Sequence, residues 1–233
     1  MPNPDIYGGA PGLGSTRETD FRRVFLGNEK YLAGSFVIDG ANARDPLNTN
    51  RVFEIRAGLL LGRISASNKF GASVLGAVTE AYSDTDTSLT VSAATATELV
   101  RRIGESGTFR LVSAPANTGT VATDQVTYSA VNTSTGVITV EDIGKDAIVG
   151  SLLQPEDGSE APLTILYDGY PKRVIDADLD DRDVELGRYP IGGVVDATQI
   201  LNFPPAAATT LRQWVVDQLN AVGSFVFDYK HGL

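Results

Sequence analysis

Residues 51–73, RVFEIRAGLLLGRISASNKFGAS, do most to limit what this chain can become. Their apolar residues come in short runs, each closed by turn formers, a pattern that suits strands and not helices. Val52, Phe53 and Ile55 are β-formers that lead into a turn at Arg56, Ala57 and Gly58. Residues 59–64 form a second apolar run, and residues 65–69 turn the chain again. The expected unit is a strand pair with a tight turn. It holds no nucleophile with a base at a fixed offset and no metal-ligand spacing.

The rest of the chain reads in the same way, with Thr, Val, Ala and Gly abundant and long helical patterns scarce. Residues 21–40 read as two short strands around Gly27 and Asn28, the second built on Phe36, Val37 and Ile38. Strand patterns recur at 74–78, 89–91, 108–112, 126–131, 137–140, 163–167 and 189–195. The 132–136 loop ends on Gly136, which supplies a positive φ and predicts a β-hairpin. Two helices are expected. Over 92–103, Ser92 caps, Ala96, Leu99, Val100 and Ile103 share a face, and Gly104 stops the helix. Over 209–222, Leu211, Trp214, Val215, Gln218, Leu219 and Val222 form the stripe, with Trp214 as core. Pro204 and Pro205 mark a boundary before this helix, and residues 224–229 follow it as a strand with Phe225, Phe227 and Tyr229 on one face.

Charge and chemistry narrow the function. The 19 basic residues are scattered among 29 acidic ones, for a net charge of -10. Phosphate binding needs clustered cations, so nucleic acid is not an expected partner. Without cysteine there is no disulfide and no thiolate metal site, which suits assembly in a reducing cytoplasm. No apolar run approaches the roughly 20 residues of a membrane helix, and the first twelve residues lack the basic and apolar regions of a signal peptide. Asp176, Asp178, Asp180, Asp181, Asp183 and Glu185 alternate as Ca²⁺ ligands can, but the EF-hand Gly and Glu positions are unfilled and Arg182 offsets charge. A solvated acidic loop is the expectation. His231 is the only histidine and sits at the chain's end, a poor place for a catalytic imidazole. No catalytic residue, metal site or cofactor is expected. Residues 1–20 are rich in Pro and Gly; they read either as a frayed terminus or as an arm that orders on a partner.

Two blocks carry a resemblance. Arg56-Ala-Gly-Leu-Leu-Leu-Gly62-Arg-Ile64, followed by Ser-Ala-Ser-Asn-Lys69-Phe70, resembles a signature of tailed-phage head decoration proteins, the lambda gpD-like cement proteins. Downstream, DGSEAPLTILYDG (157–169) and DADLDDRDVELGRYPIGGVV (176–195) resemble the other half of that pattern, in the same order. About eighty residues separate the blocks, which are nearly contiguous in the simplest members. The resemblance covers roughly a third of the chain. Family members also carry acidic residues in the second block, and no metal is implied.

The expected fold is α+β, mainly β. The resemblance implies a decoration-protein-like (β-tulip type) core from residues 21–73 plus 155–203, with a small α+β subdomain inserted at 74–154 and a C-terminal helix plus strand at 204–233. It implies a non-enzymatic virion protein that binds the outside of the expanded capsid, assembled in the host cytoplasm, with the major capsid protein as partner and a homotrimer as its form. Residues 1–20 become the capsid-binding arm, with Ile6, Tyr7 and Leu13 as anchors among small residues. The alternative is a tail, baseplate or head-fibre module that recognises a host surface through exposed aromatics of the insertion, for which Tyr82, Phe109 and Tyr128 are available.

Overall fold

A computed structural model describes residues 23–46, 54–114, 119–141, 143–167, 170–171 and 183–229. The described chain opens with β1 (Phe25–Ile38), β2 (Glu54–Ile55), β3 (Leu60–Arg63), β4 (Phe70–Ala72), β5 (Gly76–Ala77) and β6 (Ser88–Thr90). Helix α1 (Ala93–Arg102) precedes β7 (Gly107–Ser113), β8 (Ala122–Asn132), β9 (Val137–Val140), β10 (Leu152–Gln154), β11 (Thr164–Ile165), β12 (Tyr170–Pro171) and β13 (Val184–Asp196). Helix α2 (Thr209–Val222) and β14 (Ser224–Asp228) complete it. The fold is α+β and mainly β.

Three sheets hold these strands. The first runs β11-β3-β4-β1-β13-β14, the second β5-β10-β7-β8-β9-β6, and β12 pairs with β2 alone. Every described strand of the second sheet comes from residues 76–154, and it has its own apolar core around Leu89, Leu99, Phe109, Tyr128 and Ile138. The two large sheets also share a core, in which Val112 and Leu152 of the second meet Leu60, Val195 and the α2 residues Leu211, Val215 and Leu219.

Local chemistry explains most elements. Ser92 caps α1, its Oγ accepting from the Thr95 N–H at 3.0 Å, and the buried face carries Ala96 and Leu99. The β8–β9 hairpin turns where expected. The Asn132 side chain accepts from the Ser134 and Thr135 N–H groups, and Gly136 has φ 78°. In α2 the buried residues are Leu211, Val215 and Leu219, a strict four-residue spacing that seats one stripe on the first sheet. Trp214 packs on the edge of that core half-buried, and Val222 is 51% exposed. The helix bridges β13 and β14, which pair in parallel from Gly192↔Ser224 to Asp196↔Asp228.

Several expectations need correction. Residues 21–40 do not make two strands around Gly27 and Asn28. The strand β1 runs unbroken through both, with φ 151° at Gly27 and 57° at Asn28. The two residues absorb a bulge, visible as register shifts against β13, and the long partner strand carries the pairing onward. The strands expected at 74–78 and 163–167 shrink to Gly76–Ala77 and Thr164–Ile165. Val184 and Glu185, read as the end of an acidic loop, are the first residues of β13. Residues 176–182 lie outside the described chain.

Candidate interaction surface

The residues proposed as capsid anchors, Ile6, Tyr7 and Leu13, lie outside the described residues, as does His231. Among the described residues no three His, Cys, Asp or Glu side chains are placed to hold a metal. No described helix is long and apolar enough to cross a membrane. What the described chain offers is a junction between its motif blocks and a set of exposed surfaces.

The junction is close-packed. The two blocks meet directly: Ser65 N–H donates to the Asp157 carbonyl at 2.8 Å, and β11 pairs with β3 through Thr164↔Leu61. Glycine is required at the contacts. A Cβ on Gly62 would lie 1.9 Å from the Ser159 carbonyl oxygen, and one on Gly158 would lie 2.0 Å from Ser65 Oγ. Arg102, the last residue of α1, reaches in from the second sheet. Its guanidinium donates to the carbonyls of Asn42 (3.1 Å) and Ala72 (2.7 Å), to Asp157 Oδ2 (2.8 Å) and to Ser159 Oγ (2.7 Å). The Arg102 side chain is only 3% exposed. Burial pushes the Asp157 carboxyl upward, but the Arg102 charge and the bonds from Ser159 and Arg102 outweigh it, and the group is held below its ordinary range. Sequence reading passed over Arg102 because its partners lie 30 to 60 residues away. The one signal was that it ends an amphipathic helix beside the outward-facing Arg101.

The exposed surfaces begin with the β1–β13 ribbon. Residues 28–35 of β1 are exposed apart from half-buried Tyr31, and β4 pairs with β1 only at Ile38↔Phe70. Arg188 lies 4.2 Å over the Tyr31 ring, and Tyr167 packs edge-on at 5.5 Å. Burial and then the nearby Glu29 raise the Tyr31 hydroxyl above its usual range. Register shifts, Gly27, Gly34 and the charges of Glu29 and Lys30 interrupt this edge. At the sheet's other side, β14 is terminal, but Asn220 Oδ1 accepts the Phe225 N–H at 2.7 Å and removes a donor from its free edge. Both features discourage another strand from adding to the described sheet.

A second surface lies where β14 ends. The Phe203 and Phe227 rings stack with 5.8 Å between centroids and 8° between planes, and Tyr229 tilts against Phe203 at 6.4 Å. The Arg212 guanidinium stands 5.3 Å from Phe203 and 5.5 Å from Tyr229 while its Nε donates to the Pro204 carbonyl. Phe203 and Phe227 are half-buried and Tyr229 is 45% exposed. The aromatics that would have served a receptor-binding insertion are elsewhere. Tyr82, Phe109 and Tyr128 are 3%, 0% and 1% exposed and build the second core, because strand alternation turns Phe109 and Tyr128 inward and an isolated bridge to Ala147 holds Tyr82.

Comparison with protein-family models, with curated proteins and with solved structures finds no match.

Proposed function

We propose that this chain is a structural virion protein of the head-decoration type, which binds the exterior of an expanded phage capsid and cements neighbouring capsid subunits against internal DNA pressure. The observation that carries the reading is the junction. Two sequence blocks that resemble halves of the decoration-protein pattern, about eighty residues apart, are packed edge to edge at Ser65, Asp157 and Ser159. A β-tulip-type core would use that contact, and the segment carrying α1 and the second sheet would stand on it as an elaboration.

The mechanism is mechanical and needs no catalytic group or cofactor. Each subunit would lay residues 1–20 on the major capsid protein, with Ile6, Tyr7 and Leu13 as apolar anchors, and homotrimer contacts would tie three such arms together. Many modest contacts acting at once resist expansion better than any one of them. The blunted edges of β1 and β14 agree with an arm that donates a strand and a body that does not accept one.

Copy number in purified virions, measured by quantitative mass spectrometry against the major capsid protein, tests the reading. A ratio near one to one is expected. A handful of copies per particle would place the protein at a tail or vertex. Removal of residues 1–20 is expected to abolish saturation of expanded heads, and unchanged affinity would sink the arm mechanism.

A further inference from the structure

At one end of the first sheet three chain segments converge. The Asp196 N–H, at the end of β13, donates to the Val24 carbonyl at 2.9 Å. Asp196 also pairs with Asp228, at the end of β14. With strands about 4.8 Å apart, Val24 lies about 10 Å from the end of β14. The Phe203, Arg212, Phe227 and Tyr229 cluster sits at that end. Residues 1–22 enter the described chain here, one residue before Val24.

We infer that this aromatic cluster is the seat for the root of the chain's own N-terminal segment, with Phe21 as the side chain that fills it. The reach fits: three extended residues span about 10 Å, which carries the chain from Val24 to Phe21. Phe21 is the last aromatic residue before β1, and residues 14–20 hold no apolar side chain. Aromatic rings stack on aromatic rings with a preference that small side chains lack. The four residues after Tyr229 are weaker candidates, because only Leu233 among them is apolar. A seated root would aim residues 1–20 from a fixed origin, whatever their tip contacts.

The chain has no native cysteine, which makes a cross-linking test clean. The full-length Arg22→Cys/Lys230→Cys variant keeps Phe21 and Tyr229 and should form an intramolecular disulfide at a rate independent of protein concentration. Adding Phe21→Ala or Tyr229→Ala should slow it on the order of tenfold, since cross-linking follows the local effective concentration. Removing residues 231–233 should leave the rate unchanged. The inference is overturned if Phe21→Ala and Tyr229→Ala have no effect. It also falls if the disulfide forms between chains and fades on dilution, which would seat a neighbour's segment. A faster reaction in the tail-deleted protein would give the seat to residues 230–233. None of these outcomes depends on capsid binding.

Discussion

The two large sheets are made in opposite ways. The second takes all its described strands from residues 76–154, although only its β8–β9 pair is closed by a short turn, at residues 133–136. The first gathers strands from both ends of the chain, so that β1 lies against β13 through pairs such as Phe25↔Val195 and Ile38↔Val184. Local assembly leaves the second sheet with a core of its own, whereas the first must be closed by distant partners, α2 and β14 among them. The exposed ribbon and the aromatic end cluster both belong to the first sheet. The difference teaches that the surfaces available to a partner lie where the chain depends on long-range pairing, and the self-contained region turns its aromatics inward.

The sharpest way to break that contrast is to cut the bond between the sheets. Arg102→Ala removes a buried guanidinium and with it the bonds to Asp157 Oδ2 and to the Asn42 and Ala72 carbonyls. A loss of about 3 kcal/mol is expected in urea unfolding, and the transition should separate into two steps if the second sheet holds without the first. The wild-type junction should also be acid-sensitive. The folded Asp157 carboxyl titrates below its unfolded value, so its contribution is complete above the ordinary carboxylate range and is lost as pH falls through the folded value. Stability curves measured against pH should lose that acid limb in Arg102→Ala.

The second core answers to base instead. Burial pushes the Tyr128 hydroxyl up to about 12, and its Oη donates to the Gly104 carbonyl at 2.8 Å. A raised folded value means that the stabilisation is present below the ordinary tyrosine range and disappears as pH rises through about 12. Absorbance at the tyrosinate band should show one late-titrating group whose ionisation accompanies unfolding of the second sheet, and Tyr128→Phe should abolish it. A smaller effect is expected at the cap of α1. Ser92→Ala should cost about 1 kcal/mol by thermal or urea unfolding. The smallest is on the ribbon, where Leu32 is 47% exposed. Leu32→Ser should change stability by less than about 0.5 kcal/mol; a larger loss would mean that the ribbon is covered by the protein itself.

The sequence was most readable where the governing interaction spans a few residues. The Ser92 cap, the existence of α2 and the Asn132–Gly136 turn chemistry are all set by side chains within one or two turns of their targets. The strand pair expected of residues 52–55 and 59–64, by contrast, does not form, because β2 pairs with β12 and β3 with β4. Burial of Tyr82, Phe109 and Tyr128 was not readable, because strand alternation says that a residue faces one side and not which side is covered.

By itself, then, the sequence determined a mainly β chain with two amphipathic helices, punctuated by turns whose φ requirements only Gly and Asn meet, because propensity, periodicity and turn chemistry are local. The tertiary structure alone decided that β1 runs through its bulge, that β14 joins β13, that Arg102 locks α1 onto Asp157, and that residues from four separate positions, 203, 212, 227 and 229, form one aromatic cluster. Those outcomes depend on which apolar faces and buried charges find each other across tens of residues, and no short window of sequence contains both partners.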